Sequence, residues 1–203
     1  MATTEKADKK EIKVDPIRSF KDIKKIADSL RKSPRDLALF VVGINTNFRA
    51  SDLLKIKVGD VRNLKAGEHF SSREQKTSKE RFTTLNEEAY KVIQALLVTM
   101  PNATDDEPLF QSRRESAVSG KRLAVSSFSV MVKHWCDTNI KGNGNYGSHT
   151  LRKTFGYMMR IQGADIPTLM SVFNHSTQKQ TLMYLGIQAD DVKELYMKGI
   201  KYE

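Results

Sequence analysis

Residues 148–185 read SHTLRKTFGYMMRIQGADIPTLMSVFNHSTQKQTLMYL. Apolar side chains recur there at helical spacing over Ser148–Gln162, Ile166–Phe173 and Gln178–Leu185, which predicts three consecutive helices. At the start of the first, His149 and Arg152 lie three residues apart and so share one helix face. Backbone N–H groups point outward at a helix start, and an imidazole with a guanidinium beside them makes a place for a phosphate. A lone His-x-x-Arg pair is more often ordinary surface. The second half of the stretch is more telling, because Asn174-His175-Ser176-Thr177 breaks the helical pattern and Tyr184 follows His175 by nine residues. A tyrosine between Met183 and Leu185 on an amphipathic helix is normally a packed core residue, and only its distance from His175 gives it another meaning.

Outward from this stretch the pattern stays mainly helical. Ile17, Phe20, Ile23, Ile26 and Leu30 recur at helical spacing, and a second periodic run covers Asp36 to about Leu54, so two helices open the domain. Between Asp60 and Leu85 the character changes. Turn signals at Lys65-Ala66-Gly67 and Lys76-Thr77-Ser78-Lys79 separate three short candidate strands. Helical patterns return at Asn86–Met100 and Ser126–Ile140, and a last one at Asp190–Ile200 opens on an Asp N-cap. The predicted fold is mainly α (α+β), with one small three-stranded antiparallel sheet. Residues 1–16 are charged and almost empty of large apolar groups, the composition of a flexible tail. Residues 17–203 make one domain of catalytic size.

Lys and Arg number 34 against 24 Asp and Glu, a net charge of +10 that favours a polyanionic partner, with nucleic acid ahead of an anionic membrane surface. No apolar run approaches the roughly 18 to 20 residues that span a bilayer, and the first residues are charged where a signal peptide is apolar, so the expectation is a soluble cytoplasmic protein. The single cysteine, Cys136, rules out an internal disulfide and a multi-thiolate metal site, and with Trp135 it reads as core. No Gly-rich phosphate loop is present, and no cofactor is expected.

His149-x-x-Arg152, then His175, then Tyr184 nine residues later resembles the C-terminal signature of the phage-integrase family of tyrosine recombinases. Upstream, Thr46-Asn47-Phe48-Arg49-Ala50-Ser51-Asp52-Leu53-Leu54 is similar to the family's first arginine box, which gives Arg49 a role. Gln75-Lys76-Thr77-Ser78-Lys79-Glu80-Arg81 resembles the hairpin turn that carries the family's lysine, placing it at Lys76, with Lys79 as the substitute if the register differs. Two positions depart from the pattern: Asn47 and Asn174 both stand where glycine is usual. Either departure is expected to alter loop geometry without removing a reacting group.

Cutting a phosphodiester without metal needs a nucleophile, a place for the extra negative charge of the transition state, and a proton for the departing oxygen. The resemblance implies that Tyr184 attacks the scissile phosphate to give a 3′-phosphotyrosyl link and a free 5′-hydroxyl. Arg49 and Arg152 would hold the non-bridging oxygens, Lys76 would protonate the leaving oxygen, His149 would take or orient the phenolic proton, and His175 would hydrogen-bond a phosphoryl oxygen. Arg113, Arg114, Lys121 and Arg122, with Lys79, are candidate contacts to the DNA backbone. The implied activity is site-specific recombination of double-stranded DNA, such as integration or excision of a mobile element or prophage.

Rival expectations are a type IB topoisomerase, which uses nearly the same residue set, and a catalytically silent DNA-binding module of the same fold. Against the topoisomerase stands the amphipathic stretch at Asp190–Ile200, with Val192, Leu195, Tyr196 and Ile200 apolar. Recombinases dock such an element on a neighbouring subunit, so a homo-tetramer on DNA through residues 190–200 is expected. Full-length members of the family carry a further helical DNA-binding domain before the catalytic one. With about 16 residues ahead of Ile17, this core-binding domain is expected to be absent from the chain, whether the chain is a fragment or a naturally short enzyme.

Overall fold

The computed structural model of the chain describes residues 14–73, 80–113, 120–186 and 197, with only the backbone of residues 70–73 and 80–82. Eleven elements follow one another among them. They are α1 (Phe20–Leu30), α2 (Pro34–Asn45), α3 (Ala50–Leu53), α4 (Val58–Val61), β1 (His69–Arg73), β2 (Glu80–Thr84), α5 (Glu87–Val98), α6 (Val125–Asn139), α7 (Thr150–Ile161), α8 (Ile166–Phe173) and α9 (Gln178–Leu185). The predominance of helix is as expected.

Several helix starts are written in capping residues. Asn86 accepts a hydrogen bond from the Ala89 N–H at 2.9 Å, Asp165 from Thr168 at 2.7 Å and Thr177 from Gln180 at 3.1 Å, each satisfying a donor that a helix leaves open in its first turn. Where the sequence predicts one run over Asp36–Leu54, the chain instead forms α2 and α3 with a break at Thr46–Arg49. The break has a local cause. Asn45 Nδ2 donates to the Val41 carbonyl at 2.9 Å and Thr46 Oγ1 to the Val42 carbonyl at 2.8 Å, so side chains take up the carbonyls that end α2.

The sheet also differs from expectation. Among the described residues it has two strands, antiparallel, from His69 paired with Thr84 to Arg73 paired with Glu80. The segment predicted as the first strand falls partly in α4, whose start is fixed by the Asp60 carboxylate accepting from the Lys57 N–H at 2.8 Å. An acidic residue three positions after a helix start stabilises that start and competes with extension. The connection between β1 and β2, which carries Lys76 and Lys79, lies outside the described residues, as do Arg114 and all of residues 190–200 except the exposed Met197.

Of the predicted tail, residues 1–13 lie outside the described residues, while Val14–Pro16 are held against the domain. The Asp15 N–H donates to the Asn145 carbonyl at 2.6 Å and Lys153 Nζ to the Val14 carbonyl at 2.9 Å. Ile17 beyond them is fully buried.

The main core gathers α1, α2, α5 and α6 around Phe40, Phe128 and Trp135, whose rings meet edge to face. Cys136 is buried among them, and burial pushes its thiol up to about 12, as suits an inert core residue. Leu169, Phe173 and Leu185 form a second, smaller cluster under α8 and α9. Helix α7 lies between the two clusters, and glycines allow both approaches. A Cβ on Gly43 of α2 would come within 2.6 Å of Leu151 of α7, and one on Gly156 within 2.5 Å of both Phe173 and Leu185. No helix of the described residues is long and apolar enough to cross a membrane.

Candidate active site

Packing α8 and α9 on α7 brings together three residues that are far apart in the sequence. Arg152, on the first turn of α7, is 4% exposed, and its Nη2 donates to the Phe173 carbonyl at 3.4 Å. Its guanidinium lies 5.3 Å from the Phe173 ring centroid and 5.9 Å from that of Tyr184. The His175 ring stacks on Phe173 at 5.3 Å and meets the Tyr184 ring edge-on at 5.2 Å. Phe173 is therefore the hub on which guanidinium, imidazole and phenol converge.

His175 is placed by the turn before it. Asn174 closes α8 in the left-handed region, with φ 56° and ψ 46°, and the next N–H, that of His175, reaches back to the Met170 carbonyl at 2.9 Å. Asparagine enters this region more readily than any residue but glycine, so the departure from glycine keeps the turn. Asn174→Val is expected to destabilise the fold by about 1–2 kcal/mol, because a β-branched side chain is strained at positive φ, whereas Asn174→Gly should stay within a few tenths. Chemical denaturation midpoints of the two variants check this. Nδ1 of His175 lies 3.1 Å from Oγ1 of the fully buried Thr181, which orients the ring from one turn before Tyr184.

The other departure, Asn47, also has a structural role. Its Nδ2 donates to the Val172 carbonyl, tying the break between α2 and α3 to the end of α8. Arg49, half-buried and extended at φ −68° and ψ 152°, stands two residues away, so its loop adjoins the Phe173–His175 turn. His149 is the N-cap residue of α7 and is exposed, one turn from the buried Arg152. Lys76 lies outside the described residues. Among the described residues no His, Cys, Asp and Glu cluster could hold a metal ion.

Three residues that sequence reasoning passed over belong to this arrangement: Phe173, Thr181 and Lys153. Lys153 is 7% exposed, with Nζ 5.2 Å from the Tyr184 ring centroid. The spacing of Thr181, three residues before Tyr184 on one helix, was available in the sequence; the other two depend on how α7 and α8 cross. The basic cluster lies elsewhere. Arg113, Lys121 and Arg122 are exposed on neighbouring segments joined by the Ser112 N–H to Lys121 carbonyl bond at 2.7 Å, and Arg113 donates to Ser33 at 3.0 Å. Ser33 precedes α2 and Arg49 follows it, so about 18 Å of helix separates the cluster from Arg49.

Comparison with known proteins identifies the family. The family model described as Phage integrase family matches residues 19–190. The chain belongs to the phage integrase family. As a member, it is 31% identical over 188 residues to the Bacillus subtilis (strain 168) protein named Probable integrase/recombinase YoeC, covering 90% of this chain and 95% of that one. It is 30% identical over 169 residues to Tyrosine recombinase XerC of Caldanaerobacter subterraneus subsp. tengcongensis, covering 81% of this chain and 45% of XerC. The family fold is also found in the crystal structure of XerA recombinase, with a TM-score of 0.74 at 22% identity over 93% of this chain and 67% of that one. The XerH site-specific recombinase bound to its difH substrate gives 0.69 at 17% identity, over 91% of this chain and 53% of XerH. This integrase-family chain thus spans nearly all of YoeC and about half of XerC and XerH.

Proposed function

We propose that the chain is a tyrosine recombinase that cuts and rejoins double-stranded DNA at specific sites through Tyr184. The observation that supports this reading is the meeting of Arg152, His175 and Tyr184, the residues of the resembled signature, around Phe173 where α7, α8 and α9 pack. In the cleavage step the Tyr184 oxygen forms a bond to phosphorus while the bond from phosphorus to the 5′-oxygen breaks. The phenolic proton passes to His149 or to solvent that it orients, and Lys76 gives a proton to the departing 5′-oxygen. Arg49 and Arg152 present donor forks to the two non-bridging oxygens, where charge is greatest in the transition state. His175, held through Nδ1 by Thr181, offers Nε2 to a phosphoryl oxygen. Rejoining runs the same steps backwards with a 5′-hydroxyl from another strand, so the energy of the broken bond is kept.

Exposed Arg113, Lys121 and Arg122, with Arg114 and Lys79, suit phosphates flanking the cut rather than the scissile one. Homo-tetramers joined through residues 190–200 would set two cutting sites against two resting ones. Bacterial relatives and a DNA substrate fit action in the bacterial cytoplasm or nucleoid, in the integration or excision of a mobile element.

The test is covalent trapping on a nicked duplex carrying the target site, from which the strand end beyond the cut diffuses away. Adducts are expected in EDTA and without nucleotide, at a rate within about two-fold of that with magnesium, because cationic side chains supply the charge stabilisation. Strict dependence on magnesium would point to nuclease or transposase chemistry.

A further inference from the structure

We propose that Lys153 is a positioning residue for Tyr184, and that the strap Val14–Arg18 holds it in place. Resting on Tyr184 as nucleophile, the inference begins from an expensive choice of side chain. Lys153 is almost wholly buried, and burying an ammonium costs several kcal/mol unless it is compensated. An apolar residue would fill the same space on α7 at no such cost. The contacts say what the charge is for. Nζ donates to the Val14 carbonyl at 2.9 Å and lies over the Tyr184 ring at 5.2 Å, so a single ammonium joins the strap to the face of the phenol.

The strap is fastened along the same helix and at the end of α9. The Ile17 N–H donates to Thr154 Oγ1 at 2.8 Å, and the Arg18 guanidinium lies 4.9 Å over the Tyr157 ring. Nη2 of Arg18 also donates to the carbonyl of Gly186, which caps α9 two residues after Tyr184. Strap and α9 are thereby clasped across α7, with Lys153 at the centre. A cation this close to a phenol favours its ionised form as well as its orientation, and ionised is the form that attacks phosphorus. Among the described residues, Arg152 and Lys153 from α7 and His175 from the turn before α9 meet the Tyr184 ring, and Asp15 on the strap is engaged by the Asn145 N–H at 2.9 Å.

Two substitutions separate charge from tether. Lys153→Gln keeps a donor for the Val14 carbonyl and drops the charge, while Lys153→Arg keeps the charge. On the nicked substrate, Lys153→Gln is expected to slow adduct formation about ten-fold at neutral pH and to move the pH dependence about one unit upward, with non-covalent DNA binding within about two-fold. Lys153→Arg should recover most of the rate and the original pH dependence. Lys153→Met, which also loses the strap bond, should lower the melting temperature further than Gln while showing the same pH shift. Adduct formation by Lys153→Gln at the wild-type rate, or a slower rate with an unmoved pH profile, overturns the proposal; so does an arginine variant that fails to rescue. Dependence of the wild-type adduct on Tyr184 itself is scored separately, so the nucleophile assignment stands or falls without reference to Lys153.

Discussion

Tyr184→Phe is expected to abolish the covalent adduct, a loss on the order of 10⁴-fold or more, while folding and non-covalent DNA binding stay within a factor of about two or three. The contacts of the ring explain why so large a chemical loss should carry so small a structural one. Tyr184 packs through its ring, with Phe173 at 5.1 Å and His175 at 5.2 Å between centroids, and phenylalanine keeps both faces and the edge. Only the oxygen is lost. A ring stripped of that oxygen cannot form a bond to phosphorus. Tyr146 packs against the main core, where burial pushes its phenol upward and so away from the ionised form. The measurement is gel-resolved adduct on nicked DNA beside a binding titration at fixed salt. Adducts persisting in the Phe variant would transfer the role to another tyrosine, with Tyr196 the first to examine.

Arg152→Lys should cost two to three orders of magnitude in single-turnover cleavage, although the charge is kept. A guanidinium presents a flat fork, and that of Arg152 is held over the Phe173 and Tyr184 rings while Nη2 is bonded to the Phe173 carbonyl. Lysine offers a compact ammonium on a flexible stem, without the planar fork whose donors are held in fixed directions toward that carbonyl and a phosphoryl oxygen. The loss should therefore fall on the rate of cleavage with DNA bound and leave DNA affinity nearly unchanged. A near-normal single-turnover rate would refute the assignment of this arginine. Since the site is buried, melting temperatures of the variant belong beside the kinetics.

Much of this was legible in the residues themselves. Apolar periodicity over Asn86–Met100, Ile166–Phe173 and Gln178–Leu185 announces α5, α8 and α9, and the spacing from His149 to Tyr184 points to the candidate site, because both are local and survive in one dimension. The break at Thr46–Arg49 was not legible, since apolar periodicity continues across it while Asn45 and Thr46 turn their side chains back on α2. Nor was α4, where one carboxylate three residues into the segment outweighs a pattern compatible with strand. Asn47 and Asn174 looked like departures that would disturb their loops. Instead one fastens the first arginine loop to Val172, and the other occupies a left-handed position that glycine would also fill. Phe173 and Lys153 matter only through the crossing of α7 with α8 and α9, which no spacing along the chain encodes.

The division of the apolar interior into a large cluster and a small one sets two distinct handles for engineering, with α7 shared between them. Helices α8 and α9 rest on the few large side chains of the second cluster, and are tied to the rest of the fold by Asn47 at the Val172 carbonyl and Arg18 at the Gly186 carbonyl. Better packing between α2 and α5 would raise thermal tolerance and leave the mobility of the Tyr184 helix as it was. Changes around Gly156, Phe173 and Leu185 act directly on the packing under the Tyr184 helix, and because these positions are buried they are expected to lower melting temperature along with activity. Durability and activity are therefore joined at the second cluster, where Phe173 serves both, and are adjusted separately only in the first.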